Sequence, residues 1–361
     1  MNKLMLGISM LVLALLSAEI GAAFPRQYGT ELFPENSAAA IMSESSIDAR
    51  DQVEVFLDPG KLVASATQMR ESALLATSTA EATDQDKKTD PVDISAAGVK
   101  IECIQKGNRY KRTVSGTGFM INAQGVMLTN AHVAQFLLLK NAPDLGETTC
   151  QATIGTGTGP VFDIALLYIS PSWLLKNASL IDNMSPKGTG ESDFALVYVT
   201  GRRDGESLGS DFAYLPPATN PLSKSQKGAE VRIMGYPKQE DRSAPQLTAT
   251  TTITDLYTFG SGYADIFSLA SSTLGHQGAS GGPVVDEYGR AIGVITTKDS
   301  GTTVLNAITT AHIDRRLLSE VGFDLTSYSQ GNIDYKAKMF NETISPILQE
   351  ILAGYLTEPT P

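Results

Sequence analysis

The sequence has few cysteines, few histidines and no cluster of basic residues. No run of five or more Lys or Arg occurs and the net charge is −11, so the chain does not have the basic surface that attracts nucleic acid or an anionic membrane. The acidic residues are scattered without the spacing of a calcium loop, and two thiols, Cys103 and Cys150, make a poor metal site. We therefore expect no metal, no cofactor and no nucleic-acid partner.

After its first 23 residues, the chain has no apolar run long enough to cross a membrane. The first 23 residues contain one early positive charge, an apolar run from Leu4 to Leu16 and small residues up to Ala23, a pattern typical of a secretory signal peptide. The alternative is an uncleaved anchor, although the run falls short of the roughly 20 residues that a spanning helix needs. Either reading predicts an exported protein, secreted or held in the periplasm or cell envelope, that contacts a membrane only through this segment.

The next segment, residues 24–96, is rich in Ala, Ser, Thr, Glu and Asp and has few aromatic residues. Such a composition buries too little apolar surface to offset the entropy of ordering the chain. It predicts a flexible leader or prosegment, with a short helix around residues 67–77. In an exported chain, the two cysteines favour a disulfide between Cys103 and Cys150, and two free buried thiols are the alternative.

From about Val99 onward, short apolar runs alternate with Gly, Asn, Asp and Pro, which is typical of an all-β barrel or sandwich. The runs form two groups of six, about 97–205 and about 224–310, joined by a proline-containing linker at 215–223. The predicted strands are 98–105, 111–122, 126–129, 148–154, 161–169 and 194–200, then 229–236, 246–259, 264–269, 282–286, 291–297 and 303–309.

A glycine-dense loop, Gly275–Pro283, carries one hydroxyl at its centre and lies between two apolar strands. Glycines on both sides of Ser280 allow positive φ angles and close approach of a substrate. The amide groups of Gly278 and Ser280 could then converge on one point and stabilise an oxyanion, with Ser280 as the nucleophile. The alternative is a glycine-rich hairpin corner without a chemical role.

The chain resembles the trypsin-like (chymotrypsin-fold) serine peptidases in three segments, which are Ser115–Met120, Val126–Ala134 and the Ser280 loop. The resemblance covers residues 97–322 and is closest to the bacterial HtrA-like branch. It implies two six-stranded antiparallel β-barrels with the site between them, and a helix at 311–321. Residues 323–361 form a tail with a short helix, too short for the PDZ domain that is often fused to HtrA-like peptidases.

The resemblance also implies a catalytic triad of His132, Ser280 and an aspartate between them in the sequence. Asp163 and Asp193 both match the family pattern. In the family, the aspartate precedes the last strand of the first barrel. Asp193 is favoured because five predicted strands precede it, whereas only four precede Asp163, which would leave one apolar strand without a place in the barrel. Of the other histidines, His276 is expected on the wall of the site or as a solvated loop residue, and His312 in a helix, at the surface or in packing.

The expected substrate pocket also follows from the family pattern. Leu274 occupies the position that forms the base of the primary specificity pocket, and an apolar base cannot pair with Lys or Arg. Thr296, Thr297 and Lys298 are expected to pair with the backbone of an extended substrate. Ala279 replaces the aspartate that in digestive enzymes pairs with a newly formed N-terminus.

The sequence therefore favours an exported serine endopeptidase that cleaves proteins or peptides after apolar residues. The main alternative is a non-catalytic binding module that has kept the two barrels. An esterase is a weaker alternative, because Ser280 is followed by a strand and lacks the strand-turn-helix setting of the G-x-S-x-G motif.

Overall fold

A computed structural model gives the fold of the chain over the following residues: 93–106, 111–142, 145–181, 190–209, 211–239, 242–243, 245–260, 262–274, 278–298 and 304–356. The expected signal peptide (1–23), the expected helix around 67–77 and nearly all of the expected leader lie outside the described residues. In the described part, no helix is both long and apolar enough to cross a membrane.

Twelve strands close into two six-stranded antiparallel barrels, which confirms the predicted fold class. The first barrel has the order β1-β2-β3-β6-β5-β4 and the second has the order β10-β11-β14-β13-β12-β7. A separate hairpin, β8 and β9, follows β7. The strands are β1 (Gly98–Lys106), β2 (Lys111–Met120), β3 (Val126–Thr129), β4 (Glu147–Ile154), β5 (Val161–Ile169), β6 (Ala195–Arg202), β7 (Glu230–Gly235), β8 (Lys238–Gln239), β9 (Arg242–Ser243), β10 (Leu247–Tyr257), β11 (Ile266–Leu269), β12 (Pro283–Val285), β13 (Ala291–Lys298) and β14 (Leu305–Thr309).

Alternating side chains of the strands form the core of each barrel. In β1, for example, Val99, Ile101 and Cys103 are buried while the residues between them are partly exposed, as a strand with one face toward the core requires. Cys103 lies opposite Cys150 of β4 in the antiparallel register, and the two are joined by a disulfide. A bridge that closes a loop of this length stabilises the fold by about 3–4 kcal/mol.

The linker between the barrels is held by both of them. The amide of Leu215 donates to the carbonyl of Met120 in the first barrel (2.9 Å), and the amide of Ala218 donates to the carbonyl of Ala291 in the second (2.8 Å). The amide of Ala291 in turn donates to the carbonyl of Pro216 (2.9 Å). These bonds satisfy backbone groups that would otherwise be buried without partners.

Six α-helices lie in the described residues, four of them after the second barrel. The helices are α1 (Ala131–Ala134), α2 (Pro171–Asn177), α3 (Thr310–Val321), α4 (Leu325–Ser329), α5 (Ile333–Thr343) and α6 (Ser345–Leu356). Helix α3 is the helix expected at 311–321. It begins after the N-cap Thr309, whose side chain accepts a hydrogen bond from the amide of His312, and ends at Gly322 with φ 79°.

The C-terminal segment contains three helices where the sequence suggested one, and it packs on the first barrel. Asn341 of α5 donates to the carbonyl of Leu166 in β5 (2.9 Å), and Gln349 of α6 donates to the carbonyl of Leu138 (2.7 Å). The ring of Phe340 lies 5.6 Å from that of Tyr168. The chain thus leaves the second barrel through α3 and returns to cover the first.

Lys336 of α5 is a buried cation that fastens this segment. Its ammonium donates to the carbonyls of Ser327 (2.7 Å), Tyr328 (3.0 Å) and Gln330 (2.7 Å), all at the end of α4. The residue is only 4% exposed. Burial lowers the pKa of Lys336 to about 8, so at pH 7 the ammonium is still the main form and fills all three donor positions.

We predict that Lys336→Met destabilises the protein by about 2–4 kcal/mol, because three carbonyls at the end of α4, of which that of Tyr328 is buried, lose their donor. The matched control is Lys338→Met on the same helix, where the side chain is 66% exposed and pairs with Glu342 at 3.9 Å; its expected effect is below about 1 kcal/mol. Urea unfolding at pH 7 measures both. Equal midpoints for the two variants would contradict the role given to Lys336.

Candidate active site

His132 lies in the short helix α1, directly after β3, and its side chain contacts Asp193. The ring Nδ1 is 2.7 Å from Oδ2 of Asp193, and the backbone amide of His132 donates to Oδ1 (2.9 Å). Asp193 is completely buried and the His132 side chain is 7% exposed. Because the carboxylate accepts from Nδ1, a neutral His132 ring has its lone pair on Nε2, the nitrogen that can take up a proton.

Two more side chains hold Asp193 in place. The hydroxyl of Thr296 in β13 donates to Oδ2 of Asp193 (3.1 Å), and the side-chain amide of Asn130 donates to the backbone carbonyl of Asp193 (2.8 Å). The carboxylate therefore accepts three hydrogen bonds, which offset the cost of burying its charge. Thr296, expected in the substrate pocket, directs its side chain to Asp193 instead.

Asp163, the other candidate for the third position, lies away from His132. It is in β5, and its carboxylate bonds to the guanidinium of Arg203 (Nε–Oδ1 2.9 Å). Its side chain is 42% exposed. The structure thus brings Asp193 together with His132, and Asp163 forms a surface ion pair.

The loop of Ser280 is packed against the first barrel. The amide of Thr117 in β2 donates to the carbonyl of Ser280 (2.8 Å), and the amide of Gly281 donates to the carbonyl of Ile295 (2.8 Å). Gly281 has φ 88°, and a Cβ there would collide with the carbonyl oxygen of Thr117 and the hydroxyl of Thr129. Only glycine fits this position, so the contact requires the glycine that the sequence provides.

Thr117 connects the Ser280 loop to both barrels, a role that sequence reasoning missed. Its buried hydroxyl donates to the carbonyl of Gly278 (2.6 Å) and accepts from the amide of Tyr236 at the end of β7 (3.0 Å). The hydroxyl of Thr129 donates to the carbonyl of Thr117 (2.7 Å). Thr117 lies in the segment Ser115–Met120, but nothing local to it indicates a partner 161 residues away.

These contacts form a continuous path from the serine to the histidine. Ser280 bonds to Thr117, Thr117 bonds to Thr129, and Thr129 is three residues before His132. The Ser280 loop and the segment that leads into α1 are thus joined through Thr117 and Thr129. Gly278, the other residue expected to stabilise an oxyanion, has φ 97°, a conformation that glycine adopts without strain.

The structure places the remaining candidate residues in different parts of the second half of the chain. Leu274 is completely buried in the apolar core of the second barrel, whereas Thr297 and Lys298 continue β13 and pair with Asn306 and Leu305 of β14. His276, with Gly275 and Gln277, lies outside the described residues. His312, expected at the surface or in packing, is buried in α3.

Within the described ranges, no group of three or more His, Cys, Asp or Glu could hold a metal.

Comparison with known proteins identifies a family for the central part of the chain. The family model described as "Trypsin-like peptidase domain" matches residues 116–294, a range that includes His132, Asp193 and Ser280. A search of curated proteins finds no match.

Solved structures that are similar to this chain at low identity include a protease and Deg5. The Rv3671c protease from M. tuberculosis in its active form is 18% identical, with a TM-score of 0.42, over 68% of this chain and 94% of that one. Deg5 is also 18% identical, with a TM-score of 0.41, over 70% of this chain and 95% of that one.

We predict that Thr117→Val slows the reaction of Ser280 with a fluorophosphonate probe by about tenfold, because the Gly278 carbonyl loses its donor and the amides around Ser280 shift. Loss of a complete oxyanion donor costs on the order of 10²–10³-fold, and an indirect displacement costs less. Thr117→Ser keeps the hydroxyl and is expected to react within about twofold of the unchanged protein. Labelling rates of folded samples measure both variants. A Thr117→Val variant that is labelled as fast as the unchanged protein would contradict the role given to Thr117.

Proposed function

Because the chain belongs to the trypsin-like serine peptidases, we propose that it is an exported endopeptidase that uses Ser280, His132 and Asp193 as its catalytic triad. The observation that carries this proposal is the buried pair of His132 and Asp193 beside a loop that fixes Ser280. A serine hydroxyl is a weak nucleophile, and such a pair supplies the base that activates it.

In the proposed reaction, Oγ of Ser280 attacks the carbonyl carbon of the scissile peptide while Nε2 of His132 takes the hydroxyl proton. Asp193 keeps the ring in the required tautomer and stabilises the imidazolium that forms. The amides of Gly278 and Ser280 stabilise the oxyanion of the tetrahedral intermediate. His132 then gives the proton to the leaving amine. Water attacks the acyl-enzyme while His132 takes its proton, and His132 returns this proton to Oγ of Ser280 as the carboxylic acid product leaves.

The packing around Ala279 supports activation without a buried N-terminal ammonium. Ala279 is buried, and a Cβ on Gly235 of β7 would lie 3.1 Å from the Ala279 Cα. A larger side chain at position 279 has little room there, and alanine offers no charge to an ammonium. Any control by the leader segment would therefore act by covering or tethering the site.

The buried position of Leu274 supports an apolar preference at P1, the substrate residue before the scissile bond. A Lys or Arg side chain next to this core would lose its hydration without gaining a carboxylate partner, at a cost of several kcal/mol. The disulfide between Cys103 and Cys150 supports export, because such bonds persist in oxidising compartments.

The triad is tested by labelling with a fluorophosphonate probe and by cleavage of a casein substrate. We expect Ser280→Ala to abolish labelling, and Asp193→Asn to lower cleavage by about 10³–10⁴-fold because the His132 ring loses the partner that sets its tautomer. Asp163→Asn is the matched control and should leave cleavage within about twofold. If the folded, unchanged protein is not labelled at all, the chain is a binding module instead.

The P1 preference is tested with a peptide library. Cleavage after apolar residues is expected to exceed cleavage after Lys or Arg by about 100-fold or more, which corresponds to about 3 kcal/mol of unpaired charge. Leu274→Ala should move the preference toward larger apolar residues, while Leu274→Met should leave it nearly unchanged. Equal or preferred cleavage after Lys or Arg would show that Leu274 is not the base of the pocket.

A further inference from the structure

His312 in the first turn of α3 forms a second buried histidine–aspartate pair, away from the proposed triad. Its Nδ1 is 2.9 Å from Oδ1 of Asp265, and its Nε2 is 2.7 Å from the backbone carbonyl oxygen of Glu191. The His312 side chain is 7% exposed and Asp265 is completely buried. Both ring nitrogens are thus engaged within the protein.

The two partners of the ring can only accept hydrogen bonds. A backbone carbonyl has no proton to donate. Asp265 already accepts from Arg315 (2.7 Å) at Oδ1 and from the amide of Phe259 (2.7 Å) at Oδ2, which favours its ionised form. Since the carbonyl of Glu191 can only accept, the bond to it requires that Nε2 of His312 donates.

The carbonyl held by His312 belongs to the turn that carries Asp193. Glu191 is two residues before Asp193, and the amide of Asp193 closes the turn onto the carbonyl of Gly190 (3.4 Å). The carboxylate of Glu191 points to Lys176 (3.2 Å), so only its backbone carbonyl bonds to the ring.

A second contact from α3 reaches the same turn. Arg316 donates to the hydroxyl of Ser172 (3.0 Å), and this hydroxyl lies 3.4 Å from that of Ser192. Helix α3 follows the last strand of the second barrel, whereas Asp193 precedes the last strand of the first. The helix therefore links the second barrel to the turn that aims the carboxylate.

We propose that His312 is a positioning residue, which through the hydrogen on its Nε2 holds the Glu191 carbonyl and thereby fixes Asp193 against His132. This inference rests on the proposed triad. It assigns no contact with substrate to His312. The bond to Asp265 orients the ring, and the bond to Glu191 transmits the restraint.

The first test is ¹⁵N NMR of the full chain labelled on its histidines, of which the sequence has only His132, His276 and His312. We expect Nε2 of His312 to carry a proton, and the signals of His312 are assigned by their absence from a variant at this position. A His312 ring without a proton on Nε2 would overturn the proposal. This measurement needs no activity, so it stands even if Ser280 is unreactive and the proposed function fails.

The second test uses a pair of variants that each keep one contact. The side-chain nitrogen of Asn superposes on Nδ1 of His and that of Gln on Nε2, so His312→Asn retains the bond to Asp265 and His312→Gln retains the bond to Glu191. We expect fluorophosphonate labelling of Ser280 to slow about tenfold or more in His312→Asn, since displaced catalytic groups lose up to about 10²-fold. In His312→Gln the labelling rate should stay within about threefold of that of the unchanged protein.

A structural role alone predicts a different outcome for this pair. If His312 merely stabilises the helix, both variants should lose stability and neither should change the hydrogen bond between His132 and Asp193. We expect the downfield proton resonance of that bond to shift in His312→Asn and to persist in His312→Gln. Equal labelling rates in the two variants, or an unchanged resonance in His312→Asn, would overturn the proposal.

Discussion

The contact between β2 and the Ser280 loop is the constraint on which the site depends. In the proposed triad, the first barrel supplies His132 and Asp193 and the second supplies Ser280, so neither barrel contains all three residues. The amide and hydroxyl of Thr117 bond to the carbonyls of Ser280 and Gly278. Catalytic groups lose effectiveness when displaced by about 1 Å, and this contact is what sets the serine loop relative to the histidine.

The barrels restrain each other in both directions across this interface. Thr117 of the first barrel holds the loop of the second, and Thr296 of the second donates to Asp193 of the first. Each hydroxyl is buried with its partner, so a small shift of one barrel against the other would break these bonds and leave buried polar groups unsatisfied. Such groups cost about 1–3 kcal/mol each, which makes the interface specific in register as well as stable.

The barrel strands, and the aspartate that contacts His132, could be predicted from the sequence because local patterns indicate them. All twelve predicted barrel strands are present, with ends within two residues of the prediction, and counting strands favoured Asp193, the aspartate that contacts His132 in the structure. The role of Thr296 could not be predicted in this way. A register shift lies between Ile295 and Thr297, and such a bulge alters the face to which a side chain points.

Other features depend on contacts between distant parts of the chain. Asp265 and Glu191 lie 47 and 121 residues from His312, so its helical setting alone suggested only packing or exposure. Helix α5 did carry a local signal, since Ile333, Ala337 and Phe340 have the spacing of one helical face and are buried. That signal was missed because polar residues separate the three positions.

The C-terminal helices explain how an interface built from a few hydrogen bonds keeps its geometry. The linker at 215–223 bonds to both barrels. In addition, the segment from α3 to α6 runs from the second barrel back onto the first. A relative movement of the barrels would therefore have to break the linker bonds and strip α5 from β5 as well. The rigidity of the site is distributed over the fold, and the short contacts around Thr117 and Asp193 only have to provide its final alignment.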